Sequence, residues 1–116
     1  MSVTAIRPDQ LPVAVRFYLT AHAARDTDGA LRAFAPDAVI VDQGQTFRGV
    51  YEIGVFLGTA GAEFTYTTEL VGAEHVDDTH WVATIRLEGD FPGGVAELSY
   101  RFTVQDDLIT QLVIAS

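Results

Sequence analysis

Residues 95–114, VAELSYRFTVQDDLITQLVI, decide the fold class. Apolar Ala96, Leu98, Tyr100, Phe102 and Val104 alternate with polar side chains that point to the opposite face. A period of two is typical of a half-buried β-strand. The Gln-Asp-Asp sequence at 105–107 predicts a turn, and residues 108–114 predict the returning strand. We therefore expect an antiparallel hairpin in this part of the chain.

The alternation extends upstream to about residue 63. Residues 64–68 and 80–87 also alternate, which predicts a meander of antiparallel strands. The preceding half of the chain has helical spacing instead. Helices followed by a meander favour the α+β class, with three helices packed on one face of a bent, antiparallel or mixed sheet. We expect residues 1–116 to form a single domain.

The first predicted helix has Asp9 as its N-cap and Pro12 in its first turn. Its inward face carries side chains at helical spacing, namely Leu11, Val15, Tyr18, Leu19 and His22. Val13 and Phe17 widen the apolar arc, so we expect this helix to be covered on more than one side.

Two shorter helices are predicted on either side of a strand pair. The second helix, capped by Asp26 or Thr27, carries Leu31 and Phe34 and ends at Pro36. Residues 38–42 and 46–48 predict two strands joined by a turn at 43–45, and Gly49 ends the second of them. Residues 50–57 predict the third helix, which Gly58 and Gly61 end.

The composition excludes several kinds of chemistry. The chain has 116 residues, a formal charge of −9, no Cys and no Lys. It therefore has no disulfide, no thiolate nucleophile, no Schiff-base lysine and no Walker A lysine. The acidic balance argues against nucleic acid or an anionic membrane as a partner. No apolar run approaches the ~20 residues of a membrane span, and no leader pattern opens the chain, so we expect a cytoplasmic protein.

Tyr18, His22 and Asp42 form the candidate site. Tyr18 and His22 are four residues apart and share a helical face, and Asp42 ends the first long strand. If that helix lies across the sheet, the phenol and the carboxylate converge on one cavity. A carboxylate there can remove a proton next to a carbonyl while the phenol hydrogen-bonds the enolate oxygen. Aromatic neighbours that could raise the pKa of Asp42 are Phe56, Tyr66, Trp81 and Tyr100.

Structural explanations of the same residues stay open. Tyr18 is also consistent with an ordinary core residue, and Asp42 with a cap for its own turn. His22 suits the C-terminal end of a helix because of the helix dipole, and aromatic side chains such as Trp81 are more typical of a core. His75 and His80 flank two aspartates, but an acidic loop between strands explains them better than a metal site.

Residues 21–49, AHAARDTDGALRAFAPDAVIVDQGQTFRG, and the hairpin LSYRFTVQDDLITQL resemble the nuclear-transport-factor-2-like superfamily. The similarity is to its SnoaL-like and ketosteroid-isomerase-like bacterial members. It implies a cone-shaped fold, an apolar pocket, and no metal or organic cofactor. It also implies a homodimer formed through the open sheet face, where we expect Thr65, Thr67, Glu97, Ser99 and Arg101.

The resemblance to ketosteroid isomerases implies roles for individual residues. Their oxyanion-hole tyrosine falls on Tyr18 and their aspartate base on Asp42, whereas their second acid falls on Leu98, which cannot donate a hydrogen bond. We expect the pocket to be lined further by His22, Phe56, Tyr66, Trp81, Leu98 and Tyr100. We expect a cofactor-independent isomerase, cyclase or lyase acting on a small hydrophobic carbonyl compound. The alternative is a non-catalytic module of the same fold that binds a small molecule or a protein.

Overall fold

The structure is a computed structural model that describes residues 3–59 and 65–116. Its helices are α1 (Val13–Ala23), α2 (Thr27–Leu31) and α3 (Gly49–Thr59), and a 3₁₀ turn (Pro8–Gln10) precedes α1. Its strands are β1 (Thr4–Ala5), β2 (Phe34–Asp42), β3 (Gln45–Arg48), β4 (Tyr66–Asp77), β5 (His80–Gly89), β6 (Val95–Gln105) and β7 (Leu108–Ala115). Across these residues the strands form one sheet in the order β1-β4-β5-β6-β7-β2-β3.

The sheet is mixed. β2 pairs with β7 in parallel, and the other neighbouring strands pair antiparallel. The three helices pack on one side of this open, cone-like sheet, which confirms the expected α+β class. No helix in the described part of the chain is both long enough and apolar enough to cross a membrane.

The core lies between α1 and the inner sheet face. Val15 and Tyr18 are fully buried on α1, and the Tyr18 ring packs edge-on against Phe34 and Phe102. Phe102 belongs to the alternating face of β6 that the sequence predicted, together with buried Tyr100. Burying each such side chain contributes about 1.5–3 kcal/mol, so these contacts hold α1 on the sheet.

The start of α1 differs from the prediction. Asp9 is not its N-cap, because Asp9 lies in the 3₁₀ turn and accepts a bond from Nε of Arg7 at 3.2 Å. Pro12 occupies the N-cap position and α1 begins at Val13. Val13 and Phe17 are 70% and 48% exposed, so the prediction that they are covered is wrong for this chain. Asp26 does cap α2, since its Oδ1 accepts from the Gly29 N–H at 3.0 Å.

The prediction that the second helix carries Phe34 and ends at Pro36 is also wrong, because both residues belong to β2. The helix α2 ends at Leu31, and the Ile109 N–H donates to the Ala33 carbonyl at 2.9 Å. That bond starts the parallel pairing of β2 with β7. Pro36, which has no N–H, lies where the register of this pairing shifts, and a proline is tolerated there.

Two of the two-residue hairpin turns have positive φ at both residues. Gln43 and Gly44 join β2 to β3 with φ of 50° and 88°, and Asp106 and Asp107 join β6 to β7 with φ of 53° and 65°. Both turns are therefore of the I′ type, and Gln45, expected in the turn, begins β3. Gly58 lies inside α3 rather than ending it.

The strand β4 is longer than residues 64–68, because it continues through a register shift after Leu70 to Asp77. The expected strand residue Phe64 and the expected helix stop Gly61 lie outside the described residues. On the outer sheet face Thr67, Glu97 and Arg101 are exposed. That this face pairs with a second copy stays a prediction.

Candidate functional site

A cavity of about 410 Å³ opens between the C-terminal half of α1, the C-terminal half of α3 and the inner face of the sheet. Its lining residues are Tyr18, His22, Asp42, Gln43, Phe56, Tyr66, Leu87, Phe91, Pro92, Ala96, Leu98, Tyr100 and Ile114. Cavities of 300–1,000 Å³ typically hold a small organic ligand. The lining is mostly apolar, with one carboxylate and several hydroxyl, amide or imidazole groups.

Tyr18 is the most buried polar residue of the cavity. Its side chain is 0% exposed, and its hydroxyl has no hydrogen-bond partner within the described residues. Burial, followed by the neighbouring Tyr100, Tyr66 and Asp42, raises the pKa of Tyr18 well above its ordinary value. The phenol is therefore protonated at neutral pH, and within the described residues its donor is unused.

Asp42 reaches the cavity from the last position of β2. By alternation it shares the face of the fully buried Ile40, and the I′ turn at Gln43 and Gly44 follows it immediately. Within residues 3–59 and 65–116 the carboxylate makes no hydrogen bond or ion pair, so no bond supports a turn-capping role. Partial burial in the apolar cavity raises the pKa of Asp42, which makes it a stronger proton acceptor than an ordinary aspartate.

His22 and Tyr100 complete the polar side of the cavity. The His22 ring stacks on Tyr18, with centroids 5.5 Å apart and an interplanar angle of 12°. Burial, and secondarily the charge of Arg25, lowers the pKa of His22, so the imidazole is neutral at pH 7. Tyr100 lies 6.5 Å from His22 between ring centroids, and burial raises the pKa of its phenol too.

Trp81 is a predicted pocket residue that does not line this cavity. It pairs with Phe102 near the start of β5 and stacks on His75 with ring centroids 5.4 Å apart. Leu87, which does line the cavity, lies six residues further along β5, about 20 Å away at the rise of a strand. Trp81 therefore lies on the inner face of the sheet, as the cavity residues do, but at the opposite end of β5 from the cavity.

Several lining residues were missed by sequence reasoning. Leu87 and Ala96 are direct cross-strand partners and share the face of Leu98, so the alternation could have identified them. Phe91 and Pro92 come from the loop between β5 and β6, and Ile114 from the last strand. No periodic pattern identifies a loop residue as part of a pocket.

The histidines near the β4–β5 turn have local partners. His80 Nδ1 lies 2.7 Å from Asp77 Oδ1, and the same oxygen accepts from the Thr79 N–H at 2.9 Å. His75 stacks on Trp81. Among the described residues no three His, Asp or Glu side chains converge as metal ligands do.

Fold and cavity together define a class: a cone-like α+β protein with a ligand-sized, mostly apolar pocket between its helices and its sheet. No family model and no curated protein matches the chain. A solved Sinorhizobium meliloti structure described as a "putative polyketide cyclase" is 33% identical, with a TM-score of 0.86 over 95% of this chain and 100% of that one. The chain belongs to the nuclear-transport-factor-2-like superfamily.

Two more distant structures have the same fold. A Δ5-3-ketosteroid isomerase from a Mycobacterium species is 20% identical, with a TM-score of 0.71 over 89% of each chain. A Mycobacterium tuberculosis protein in complex with estradiol-17β-hemisuccinate is 20% identical, with a TM-score of 0.74 over 90% of this chain and 91% of that one.

Proposed function

We propose that this protein is a cofactor-independent isomerase, cyclase or lyase that acts on a small hydrophobic carbonyl compound. The observation that carries the proposal is the buried Tyr18 hydroxyl, which has no partner in the described residues and belongs to a residue that lines the same cavity as the unpaired Asp42 carboxylate. An unsatisfied buried hydroxyl costs about 1–3 kcal/mol. A substrate oxygen that accepts its hydrogen bond removes that cost.

In the proposed reaction Asp42 removes a proton from the carbon next to the carbonyl. The electron pair moves onto the carbonyl oxygen, and Tyr18 donates a hydrogen bond to the enolate that forms. Asp42 then returns the proton to the same carbon or to another one; alternatively, the enolate carbon attacks a second carbonyl of the substrate, and the alkoxide that forms takes the proton from Asp42. The raised pKa of Asp42 supports this role because the carboxylate must first accept and then release the proton.

Tyr100 supplies a second hydroxyl on the polar side of the cavity. Leu98, where the resemblance to ketosteroid isomerases would place an acid, is apolar and lines the cavity. Tyr100 is two residues further along β6 and faces the same side. We propose that it provides the second hydrogen bond to the enolate oxygen.

The likeness to a structure described as a polyketide cyclase and to an isomerase supports carbonyl chemistry. The estradiol-hemisuccinate complex of the Mycobacterium tuberculosis protein supports a hydrophobic ligand for a pocket of this fold. Leu98 favours a second candidate function, because a cavity with an apolar wall at that position also suits a binding module without turnover.

Exchange of α-protons for deuterium tests the proposal without knowledge of the substrate. 1-Tetralone, a bicyclic ketone, is incubated with the protein in D₂O, and its α-proton signal is followed by NMR against buffer alone. We expect faster exchange with the wild type and a loss of about 10²-fold or more in Asp42→Asn, since a general base contributes 10²–10⁴-fold. Tyr18→Phe should lose about 10²-fold.

Tyr51→Phe is the matched control, because Tyr51 is 83% exposed on α3 and outside the cavity. It should exchange at the wild-type rate. Equal exchange by the wild type and Asp42→Asn would refute the role of Asp42 as a base. If the wild type bound the ketone but did not accelerate its exchange relative to buffer alone, the result would favour the binding module.

A further inference from the structure

A small polar cleft adjoins the main cavity at the end of α1. Its volume is about 110 Å³, and it shares His22 and Tyr66 with the main cavity. Arg25 and Asp26 contribute charged groups to it, and Leu57 contributes an apolar wall. The cleft and the main cavity are therefore neighbours, with His22 and Tyr66 on the border between them.

The backbone presents Arg25 in an unusual conformation. The Asp26 N–H donates to the Ala21 carbonyl at 2.8 Å and the Arg25 N–H to the His22 carbonyl at 3.0 Å, which is the Schellman ending of a helix. The residue after the C-cap then has positive φ, here 58°. Glycine is the usual residue at this position, and a long side chain is disfavoured there. A functional use of the side chain would explain why arginine is present.

The Arg25 side chain lies over the cavity wall. Its guanidinium carbon is 4.7 Å from the centroid of the Tyr66 ring, so a cation–π contact holds it beside the cleft. Arg7 and Arg86 pair with acidic neighbours, whereas Arg25 has no ion pair within the described residues. The carboxylate of Asp26 is bonded to the Gly29 N–H. The planar donors of Arg25 are thus available to an anion.

The spacing along the chain gives the length of the ligand. Tyr18 and His22 lie on one side of α1, and Arg25 follows just past the C-cap Ala24, in the cleft that His22 also lines. The helix rises about 8 Å from Tyr18 to its end at Ala23, and Arg25 lies beyond that end. A ligand that reaches both the Tyr18 hydroxyl and Arg25 is therefore elongated, with polar groups at its two ends.

We propose that Arg25 binds the carboxylate of an elongated hydrophobic carbonyl compound whose carbonyl end lies against Tyr18 and Asp42. This inference rests on the proposed function and adds the substrate class to it: a carbonyl compound with an acidic tail. Arg25 is then a specificity residue that touches the tail and takes no part in the proton transfer.

Two rigid fluorescent probes test the inference. 2-Naphthol carries only the hydroxyl that mimics an enol, and 6-hydroxy-2-naphthoate adds a carboxylate at the far end of the same ring system. Dissociation constants are measured for both at low salt with the wild type, Arg25→Asn and Arg32→Asn. Asn tolerates positive φ better than most residues, and Arg32→Asn removes the same charge from an exposed site outside the cleft.

We expect the wild type and Arg32→Asn to bind the naphthoate about tenfold more tightly than 2-naphthol, as a charge-assisted hydrogen bond allows. Arg25→Asn should lose this preference while its affinity for 2-naphthol stays within about twofold. No preference in the wild type, or an equal weakening of both probes in Arg25→Asn, would overturn the inference and leave the proposed function standing. If neither probe bound to any of the three proteins, the proposed function and the inference would both fail.

Discussion

Removal of one oxygen atom from the core, by Tyr18→Phe, should stabilise the protein in the absence of a ligand. The Tyr18 side chain is fully buried, and its ring packs against Phe34, Phe102 and His22, contacts that phenylalanine keeps. The hydroxyl alone is lost, and it has no hydrogen-bond partner within residues 3–59 and 65–116. Desolvation of such a group without a partner costs about 1–3 kcal/mol.

We therefore expect the free energy of unfolding of Tyr18→Phe to rise by about 1–2 kcal/mol, the lower part of that cost. For a chain of this size the melting temperature should rise by about 3–8 °C per kcal/mol. Urea unfolding followed by circular dichroism measures the change, and an unchanged m-value shows that the two folded states expose the same surface on unfolding. The same variant should bind 2-naphthol about tenfold more weakly, the loss of one hydrogen bond to a buried group.

Tyr51→Phe is the control, because an exposed hydroxyl is hydrated in both states and its loss should change stability by less than about 0.5 kcal/mol. A Tyr18→Phe protein that is less stable than the wild type would refute the reasoning. It would show that the hydroxyl has a satisfied bond in the free protein, and that a substrate oxygen gains nothing by accepting from it.

Three other predictions concern charge and backbone. The pKa of Asp42 is raised above 3.8, so the folded state holds the proton more tightly than the unfolded state and loses stability as the pH rises from 3.8 through the raised pKa. The free energy of unfolding of Asp42→Asn should therefore match that of the wild type below pH 3.8 and exceed it increasingly as the pH rises through the raised pKa. Urea unfolding at several pH values measures this difference. In Gly89→Ala the new Cβ meets the Thr65 carbonyl and the Tyr66 side chain, whereas in Gly58→Ala it meets nothing among the described residues. The free energy of unfolding should fall by about 2 kcal/mol or more in Gly89→Ala and rise by about 0.5–1 kcal/mol in Gly58→Ala, which lies in helix α3. A higher melting temperature for Gly89→Ala than for Gly58→Ala would contradict the close approach of β5 to Tyr66. Asp107→Gly, at φ 65° in the β6–β7 turn, should gain about 0.5 kcal/mol because Asp-Gly suits a type I′ turn, and a lower melting temperature would refute that turn assignment.

Most of the fold could be predicted from periodicity. The alternation of β6 predicted that Tyr100 and Phe102 face the core, and the helical spacing of α1 predicted the burial of Val15 and Tyr18. Phe34 was assigned to the wrong element because apolar spacing over five residues does not distinguish a short helix from the start of a buried strand. Its place in β2 depends on pairing with Ile109, a contact distant in sequence.

The residues of the candidate site that lie on regular helices and strands could be predicted from the sequence. Tyr18 and Asp42 are on a helix and a strand whose faces follow from the sequence. Trp81 was misplaced because alternation specifies the face of a strand but not which end of the sheet borders the cavity. Arg25 could not be predicted as a site residue, because its position depends on the left-handed backbone at the end of α1. Glycine usually indicates that conformation in a sequence, and arginine does not.

The most direct test of the account is an NMR titration of the Asp42 carboxyl carbon in the free protein and with 2-naphthol bound. We predict a midpoint above 3.8 in the free protein, from burial in the cavity, and a further shift of that midpoint when the phenol occupies the cavity beside Tyr18. A midpoint at or below 3.8 that does not change when 2-naphthol binds would contradict the proposed site, because the Asp42 carboxylate would then face solvent rather than the ligand.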